Sequence, residues 1–224
     1  PYFKKTEDNN VGKDDFHGTG GEWSVDKQRL SWKVLDDFQE AAVQAGIPKL
    51  DDFNNGNNFG VSYFKVNQRN GLRLNSVKAF LNPIKYRKNL KVFKHCEASK
   101  LILENNKVLG IKVIHKNEEI EIFGNKEVVL SSGSIGTPKV LELSGIGNPK
   151  ILKKNGININ VESKNVGENL QDHLQLRVIY KLQNAQTLNQ QINTLFGKFK
   201  IGLEYFLKRS GPMSMAPSQL GIFA

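Results

Sequence analysis

Apolar residues recur at three- and four-residue spacing through Leu30, Val34, Leu35, Phe38, Ala41, Ala42 and Ala45. That spacing predicts an amphipathic helix, stopped by Gly46 and Pro48. Residues 1–28, ahead of it, are polar and glycine-rich around Phe16-His17-Gly18-Thr19-Gly20-Gly21 and read as a loop whose glycines supply positive φ. Asp51 to Asn58 is turn-rich, and Val61 to Gln68 leans to β structure. Ser76 to Leu81 reads as a short helix, capped by Asn75 or Ser76 and closed by Pro83. From Leu90 the period shortens. Strands are expected at Leu90–Phe93, Ala98–Leu103, Val108–Ile114 and Ile120–Phe123. Asn105-Asn106 and Lys116-Asn117 tolerate left-handed backbone, so the last three of these should form successive antiparallel hairpins.

Glu127 to Leu130 is apolar without alternation, which predicts a strand covered on both faces. Ser131 to Gly136 ends it, and Thr137-Pro138 should open a helix with Val140, Leu141, Leu143 and Ile146 on its apolar side. A second helix is expected over Pro149–Lys154, then a strand over Ile157–Val161. A polar loop over 166–173 precedes an expected strand from Leu174 to Leu182. A helix of about fifteen residues should follow within Gln190–Lys208, broken by Gly211-Pro212.

The 224 residues suffice for one large domain or two small ones, and 38% hydrophobic with 24% charged is a globular balance. No run of 18 apolar residues exists, so no transmembrane helix is expected. Pro1-Tyr2-Phe3-Lys4-Lys5 has neither the apolar core nor the cleavage pattern of a signal peptide. One cysteine, Cys96, excludes an internal disulfide framework. The formal charge is +10, but only six of the 32 basic residues are Arg, and they are scattered. Nucleic-acid readers lean on Arg, so no nucleic-acid partner is expected and the charge reads as a lysine-rich solvated surface. His17, His95, His115 and His173 have no metal-ligand spacing, with His95 and His115 expected on hairpin strands.

Chemistry concentrates where a buried strand should meet a helix through Ser132-Gly133-Ser134-Ile135-Gly136. Small residues there allow close approach, and the N–H groups of a helix start favour an anion, as beside a dinucleotide pyrophosphate. Simple packing of strand on helix accounts for the same residues equally well. Tyr63, Phe64 and Asn67 face either a ligand cavity or a buried strand face.

Position by position, Gly133-Ser134-Ile135-Gly136-Thr137-Pro138, followed by Ser144-Gly145-Ile146-Gly147, resembles the second signature of the glucose-methanol-choline (GMC) flavin oxidoreductases. Five more segments are similar to that family in family order: His17 to Gly21, Gly71 to Ser76 with Ala79 to Pro83, Asn89 to Val92, Val166 to His173, and Met215 to Gly221. The last looks like the bacterial alcohol- and choline-dehydrogenase branch. Family members are about twice this length; their GxGxxG unit and their terminal catalytic histidine have no counterpart here, so the resemblance implies the middle portion of a longer enzyme.

What the resemblance implies is specific. The fold class would be mixed α/β: part of a Rossmann-like FAD lobe with antiparallel hairpins, plus part of a substrate lobe. Residues 76–170 would belong to the FAD lobe, 1–75 and 171–224 to substrate-lobe and interdomain segments. The activity would be oxidation of a primary alcohol to an aldehyde by hydride transfer to FAD, with a small alcohol as substrate and an electron acceptor that the resemblance leaves open. Ala98 would contact adenine through its main chain, and Ser132, Gly133 and Ser134 would lie beside the adenosine. No catalytic residue and no metal ligand is expected in this stretch. The expected location is the cytoplasm, with peripheral membrane contact through the Lys- and Phe-rich helix near residue 200 as an added possibility. A basic RNA- or membrane-surface module without redox activity, and a catalytically dead scaffold, are the rival readings.

Overall fold

The amino-terminal segment folds back on itself where the sequence reads as a loop. In the computed structural model, which describes all 224 residues, helix α1 (Tyr2–Thr6) leads into β1 (Glu7–Asn9). Strand β1 pairs in parallel with β2 (Trp23–Val25). The connection closes through Asn9 N–H to the Gly18 carbonyl (2.9 Å) and Gly21 N–H to the Glu7 carbonyl (3.0 Å). Gly18 and Gly21 are needed for space rather than for φ: a Cβ on either would fall on the Lys4 or Thr6 carbonyl.

Helix α2 (Lys33–Gln44) forms where the spacing places it. It ends in a Schellman turn, with Gly46 at φ +91° and Ile47 N–H bonded to the Ala42 carbonyl (3.0 Å). Ala42 and Gln39 are its buried residues, while Phe38 stays exposed. Strand β3 (Gly60–Tyr63) follows, then a tight hairpin of β4 (Gln68–Arg69) and β5 (Leu72–Arg73) around left-handed Asn70 and Gly71. The expected short helix is a π-turn, Val77–Leu81, closed by Asn82 N–H on the Val77 carbonyl. Asn75, not Ser76, caps it, its side-chain oxygen accepting from Lys78 N–H (2.9 Å).

The three hairpin strands appear as expected: β6 (Cys96–Glu104), β7 (Lys107–His115) and β8 (Glu118–Phe123), antiparallel in that order. Asn105, Asn106, Lys116 and Asn117 all sit at φ between +49° and +67°, so both turns have the handedness that matches strand twist. His95 lies before β6 in a left-handed bend, not on a strand. Helix α3 (Gly133–Leu143) starts four residues earlier than Thr137, so Pro138 lies inside it rather than in its first turn. Beyond it come β9 (Ile146–Gly147), α4 (Pro149–Lys154) and β10 (Val161–Glu162), with β9 and β10 parallel. The Asn148 side chain caps α4 by accepting from Lys150 N–H (3.0 Å). Leu152 is fully buried beneath this turn.

Three expected strands do not form, and the one expected over Ile157–Val161 is reduced to the two residues of β10. Leu90–Phe93, Glu127–Leu130 and Leu174–Leu182 run without strand pairing. Val129 is 75% exposed and Leu174 92% exposed, so neither run is covered. Their apolar pattern is right for a sheet, but a strand needs a neighbour for its backbone groups. The chain then forms a short unforeseen helix, α5 (Leu188–Ile192), and α6 (Leu195–Lys208), the helix expected here. Thr194 breaks them by capping α6, its hydroxyl accepting from Gly197 N–H (3.0 Å). A 3₁₀ turn (Pro212–Ser214) leads to β11 (Leu220–Phe223), unforeseen in the sequence and antiparallel to β3.

Two compact units result: Pro1–Leu90 with Ile179–Ala224, and Lys91–Val178. No helix is long and apolar enough to cross a membrane. Leu152→Ala is expected to destabilise the second unit by about 2–5 kcal/mol, the cost of a buried cavity; urea unfolding followed by circular dichroism measures it.

Candidate functional site

In the unit of residues 91–178, helix α3 lies on strand β6. The Ser144 hydroxyl, after the helix, accepts from Leu101 N–H (2.7 Å) and donates to the Val140 carbonyl (2.5 Å). Lys139 on α3 reaches Glu97 on β6 (3.3 Å), next to Ala98. Ala98 is half-buried, opposite Val113, beside a register shift in the ladder. Strand β6 is an edge strand, so its outer backbone groups are not taken by another strand.

Ser132, Gly133 and Ser134 form the exposed start of α3. Gly133 has φ +81°, and a Cβ there would meet nothing within 4 Å. No side chain caps this end; Ser132 N–H donates to the Thr137 hydroxyl (3.1 Å). Pro138 has no N–H, so the Ser134 carbonyl lacks its usual helical partner. The links between α3 and β6 therefore run through Lys139–Glu97 and Ser144–Leu101, with Ala98 next to the first and the Ser132–Ser134 bend at the start of the same helix. Ser134 lines a cavity of about 1010 Å³ with Pro138, Glu142, Leu152 and the Val166–Gln171 loop, whereas Ala98, Ser132 and Gly133 do not line it.

The other unit holds a buried charge cluster. His17 Nδ1 lies 3.2 Å from Glu7 Oε1, and its Nε2 lies 3.1 Å from Asp52 Oδ2. The Lys65 ammonium is in direct contact with that same Asp52 oxygen. All four side chains are at least four-fifths buried. Glu7 also accepts from Gly18 N–H (2.8 Å), and Asp52 from Asn54 N–H (2.9 Å). Burial works to raise the Asp52 carboxyl, but Lys65, the Asn54 N–H and His17 outweigh it and hold the group below its ordinary value. Asp14 is held low by the N–H groups of His17 and Phe16.

The cluster floors a cavity of about 450 Å³. Trp23, Lys65 and Asn67 also line a second cavity of about 680 Å³, walled by Arg73, Asn75 and Tyr205 and by Met213–Pro217. The Gly71–Ser76 and Met215–Gly221 motifs, distant in sequence, therefore meet at one cavity. Tyr63 and Phe64 are structural. The Tyr63 hydroxyl donates to Asp36 Oδ1 (2.7 Å), and burial together with that carboxylate pushes its ionisation above the usual range. Phe64 packs among Phe53 and Phe223, with ring centroids 5.3 and 6.4 Å away.

Sequence reasoning singled out His17 only as part of a glycine loop and missed Glu7, Asp52 and Lys65, which come from separate segments. One signal existed: Lys65 is the sole charge in the β-leaning run Val61–Gln68.

A family model described as GMC oxidoreductase matches residues 1–175. The oxygen-dependent choline dehydrogenase of Brucella canis is 34% identical over 211 residues, covering 94% of this chain and 38% of that protein. An alcohol dehydrogenase (acceptor) of Pseudomonas putida is 33% identical over 225 residues, 99% of this chain and 41% of that one. Among solved structures, pyridoxine 4-oxidase from Mesorbium loti has a TM-score of 0.69 at 30% identity over 72% of this chain and 32% of that one. An FAD-dependent oxidoreductase from Chaetomium thermophilum has 0.85 at 22% identity over 98% and 41%, a likeness of fold. The chain thus spans about two-fifths of the length of these curated relatives. The mixed α/β fold expected from the sequence is the fold found.

The low Asp52 ionisation carries a pH dependence. Its folded value lies below the unfolded one, so its stabilisation is present above about pH 4 and is lost as pH falls through the folded value. Asp52→Asn should lower the urea midpoint at neutral pH, and the difference from the parent should shrink as the solution is acidified below about pH 4.

Proposed function

Because this chain belongs to the GMC oxidoreductase family, we propose that it forms part of an FAD-dependent enzyme that oxidises a primary alcohol to an aldehyde. The observation that carries this reading is the family match over residues 1–175. The choline and alcohol dehydrogenases at 33–34% identity support it. A choline-type substrate is the narrower form of the proposal. Bound FAD would supply the two-electron acceptor for the carbinol hydride.

The residues fit the adenosine half of such a group. The start of α3 offers uncapped N–H groups among small exposed residues, and Gly133 leaves open space where a side chain would stand. Ser132, Gly133 and Ser134 are proposed to approach the adenosine through backbone and small hydroxyls. Ala98, on an edge strand, is proposed to hold adenine through its main-chain N–H and C=O, a contact indifferent to side chain. Residues 76–170 are proposed as part of the flavin lobe. Residues 1–75 and 171–224 are proposed to serve the substrate side, where the cavity of about 680 Å³ offers a polar wall with Trp23 and Tyr205 beside it. No histidine here is nominated as the base that takes the hydroxyl proton. The His17 ring is buried between the Glu7 and Asp52 carboxylates, so neither nitrogen is presented to an alcohol. The 224-residue chain alone is therefore proposed not to turn over.

Two measurements test this. In amide NMR of the 224-residue chain, AMP is expected to shift Ala98 and Ser132–Ser134; unmoved signals at both places overturn the adenosine assignment. A polypeptide carrying these residues at the length of the relatives is expected to be yellow and to bleach anaerobically on adding a primary alcohol. Failure to bleach with any primary alcohol refutes the activity, and turnover by the 224-residue chain alone refutes the incomplete site.

A further inference from the structure

Strand β6 carries one residue more than its partner strand. Ala98 pairs with Val113 and Lys100 with Lys112, so Ser99 is left over and forms a β-bulge. The consequence is one of parity. Along a regular strand the N–H and C=O groups of successive residues point to alternate edges, so residues three apart face opposite ways. Ala98 and Leu101 are three apart, yet their partners, Val113 and Ile111, are only two apart on β7. The two residues therefore hold equivalent places in the ladder. Leu101 turns its N–H away from β7, at the outer edge of the sheet, onto the Ser144 hydroxyl (2.7 Å). By the same parity Ala98 turns its main chain to that outer edge. Without the extra residue Ala98 would face β7 and use its N–H and C=O in the ladder.

Two hydroxyls fasten this arrangement. Ser99, the bulged residue, donates from its side chain to the carbonyl of Lys112, the residue facing the bulge (3.0 Å). Ser144 takes the Leu101 N–H just beyond the bulge and is the one buried polar side chain of residues 91–178. On the near side of the bulge Lys139 reaches Glu97 (3.3 Å), so α3 is linked to β6 both before and after Ala98. No main-chain hydrogen bond outside the ladder reaches Ala98 itself. A bulge is a device for re-aiming a residue, and here the re-aimed groups are one backbone donor and one backbone acceptor.

We propose that Ser99 and Ser144 are positioning residues for the adenine contact: the Ser99 bulge aims the Ala98 main chain outward, and Ser144 fixes that edge against α3. The proposal rests on the adenosine reading of Ala98 given above. Neither hydroxyl touches the ligand. Each acts through the backbone of β6, Ser99 on the direction of the Ala98 groups and Ser144 on their place relative to the helix that starts at Ser132–Ser134.

The test is NMR amide exchange and AMP titration of the 224-residue chain. Without ligand, the Ala98 amide is expected to exchange fast, while Lys100, which faces β7, and Leu101, held by Ser144, are protected. Deleting Ser99 should return Ala98 to the ladder and slow its exchange about 100-fold. Ser99→Ala keeps the residue count but removes the fastening; it should weaken AMP about tenfold, and Ser99→Thr should restore the affinity. Ser144→Ala should release the Leu101 amide to exchange and weaken AMP by a similar factor. A loss of stability alone would move the urea midpoint and leave the affinity of the folded chain unchanged. If circular dichroism shows that the deletion does not fold, the exchange pattern of the parent and the point variants decide. Ala98 exchange as slow as that of Lys100 in the parent overturns the proposal before any ligand is added. Unchanged AMP affinity in both alanine variants, with AMP still shifting Ala98 in the parent, overturns it and leaves the adenosine reading standing. Fast Ala98 exchange with no AMP shift in the parent removes the adenosine reading, and the positioning role with it.

Discussion

One buried hydroxyl joins helix to sheet in residues 91–178. Ser144 takes the Leu101 amide, which the edge of the sheet leaves without a strand partner, and returns its own proton to the Val140 carbonyl. A buried amide without a partner costs about 1–3 kcal/mol, so this small side chain fixes where α3 sits on β6. The same residue's carbonyl accepts from the Asn160 side chain (2.8 Å), and Gly145 beside it accepts from Asn160 N–H (2.9 Å). The helix start at Ser132–Ser134, the β9–β10 pair and the α4 turn all take their places from this point.

The other unit is organised by charge. Glu7, His17, Asp52 and Lys65 come from β1, the glycine loop, the turn-rich loop and the segment just after β3. Each is buried only because the next compensates it. Removing one partner from such a set leaves an uncompensated charge in a poor solvent, which costs far more than a surface ion pair contributes. The glycine loop is thereby held against the wall that Trp23 and Asn67 share with both cavities.

Much of this was legible in the residues, for local reasons. The three-strand meander was readable because Asn105-Asn106 and Lys116-Asn117 state their turn geometry within two positions. Helix α2 was readable from its spacing and its Gly46 stop, and α4 from Asn148-Pro149. What escaped was non-local. Leu174–Leu182 has the alternation of a strand, but pairing is a property of two segments and pattern belongs to one. Strand β11 escaped for the converse reason: Leu220–Phe223 is short and interrupted by Gly221, and only β3 makes it a strand. Gly221 is required there because a side chain would strike the Phe64 ring, a fact visible only once the sheet exists. The family motifs pointed to Ala98 and Ser132–Ser134, and no pattern pointed to the partners of His17.

The two-residue turns of the meander carry a kinetic implication. Strands β6, β7 and β8 meet across connections of minimal length, so little chain entropy stands between them and pairing, and hairpins of this kind close in about 1–10 μs. The β3–β11 ladder must instead bring together Gly60–Tyr63 and Leu220–Phe223, far apart in the sequence, a search that slows assembly. During synthesis the meander can therefore be complete while β3 still waits for Leu220–Phe223 to emerge. Until then its edge is open to whatever extended peptide diffuses past, and the ribosome-bound intermediate is the species most in need of a chaperone.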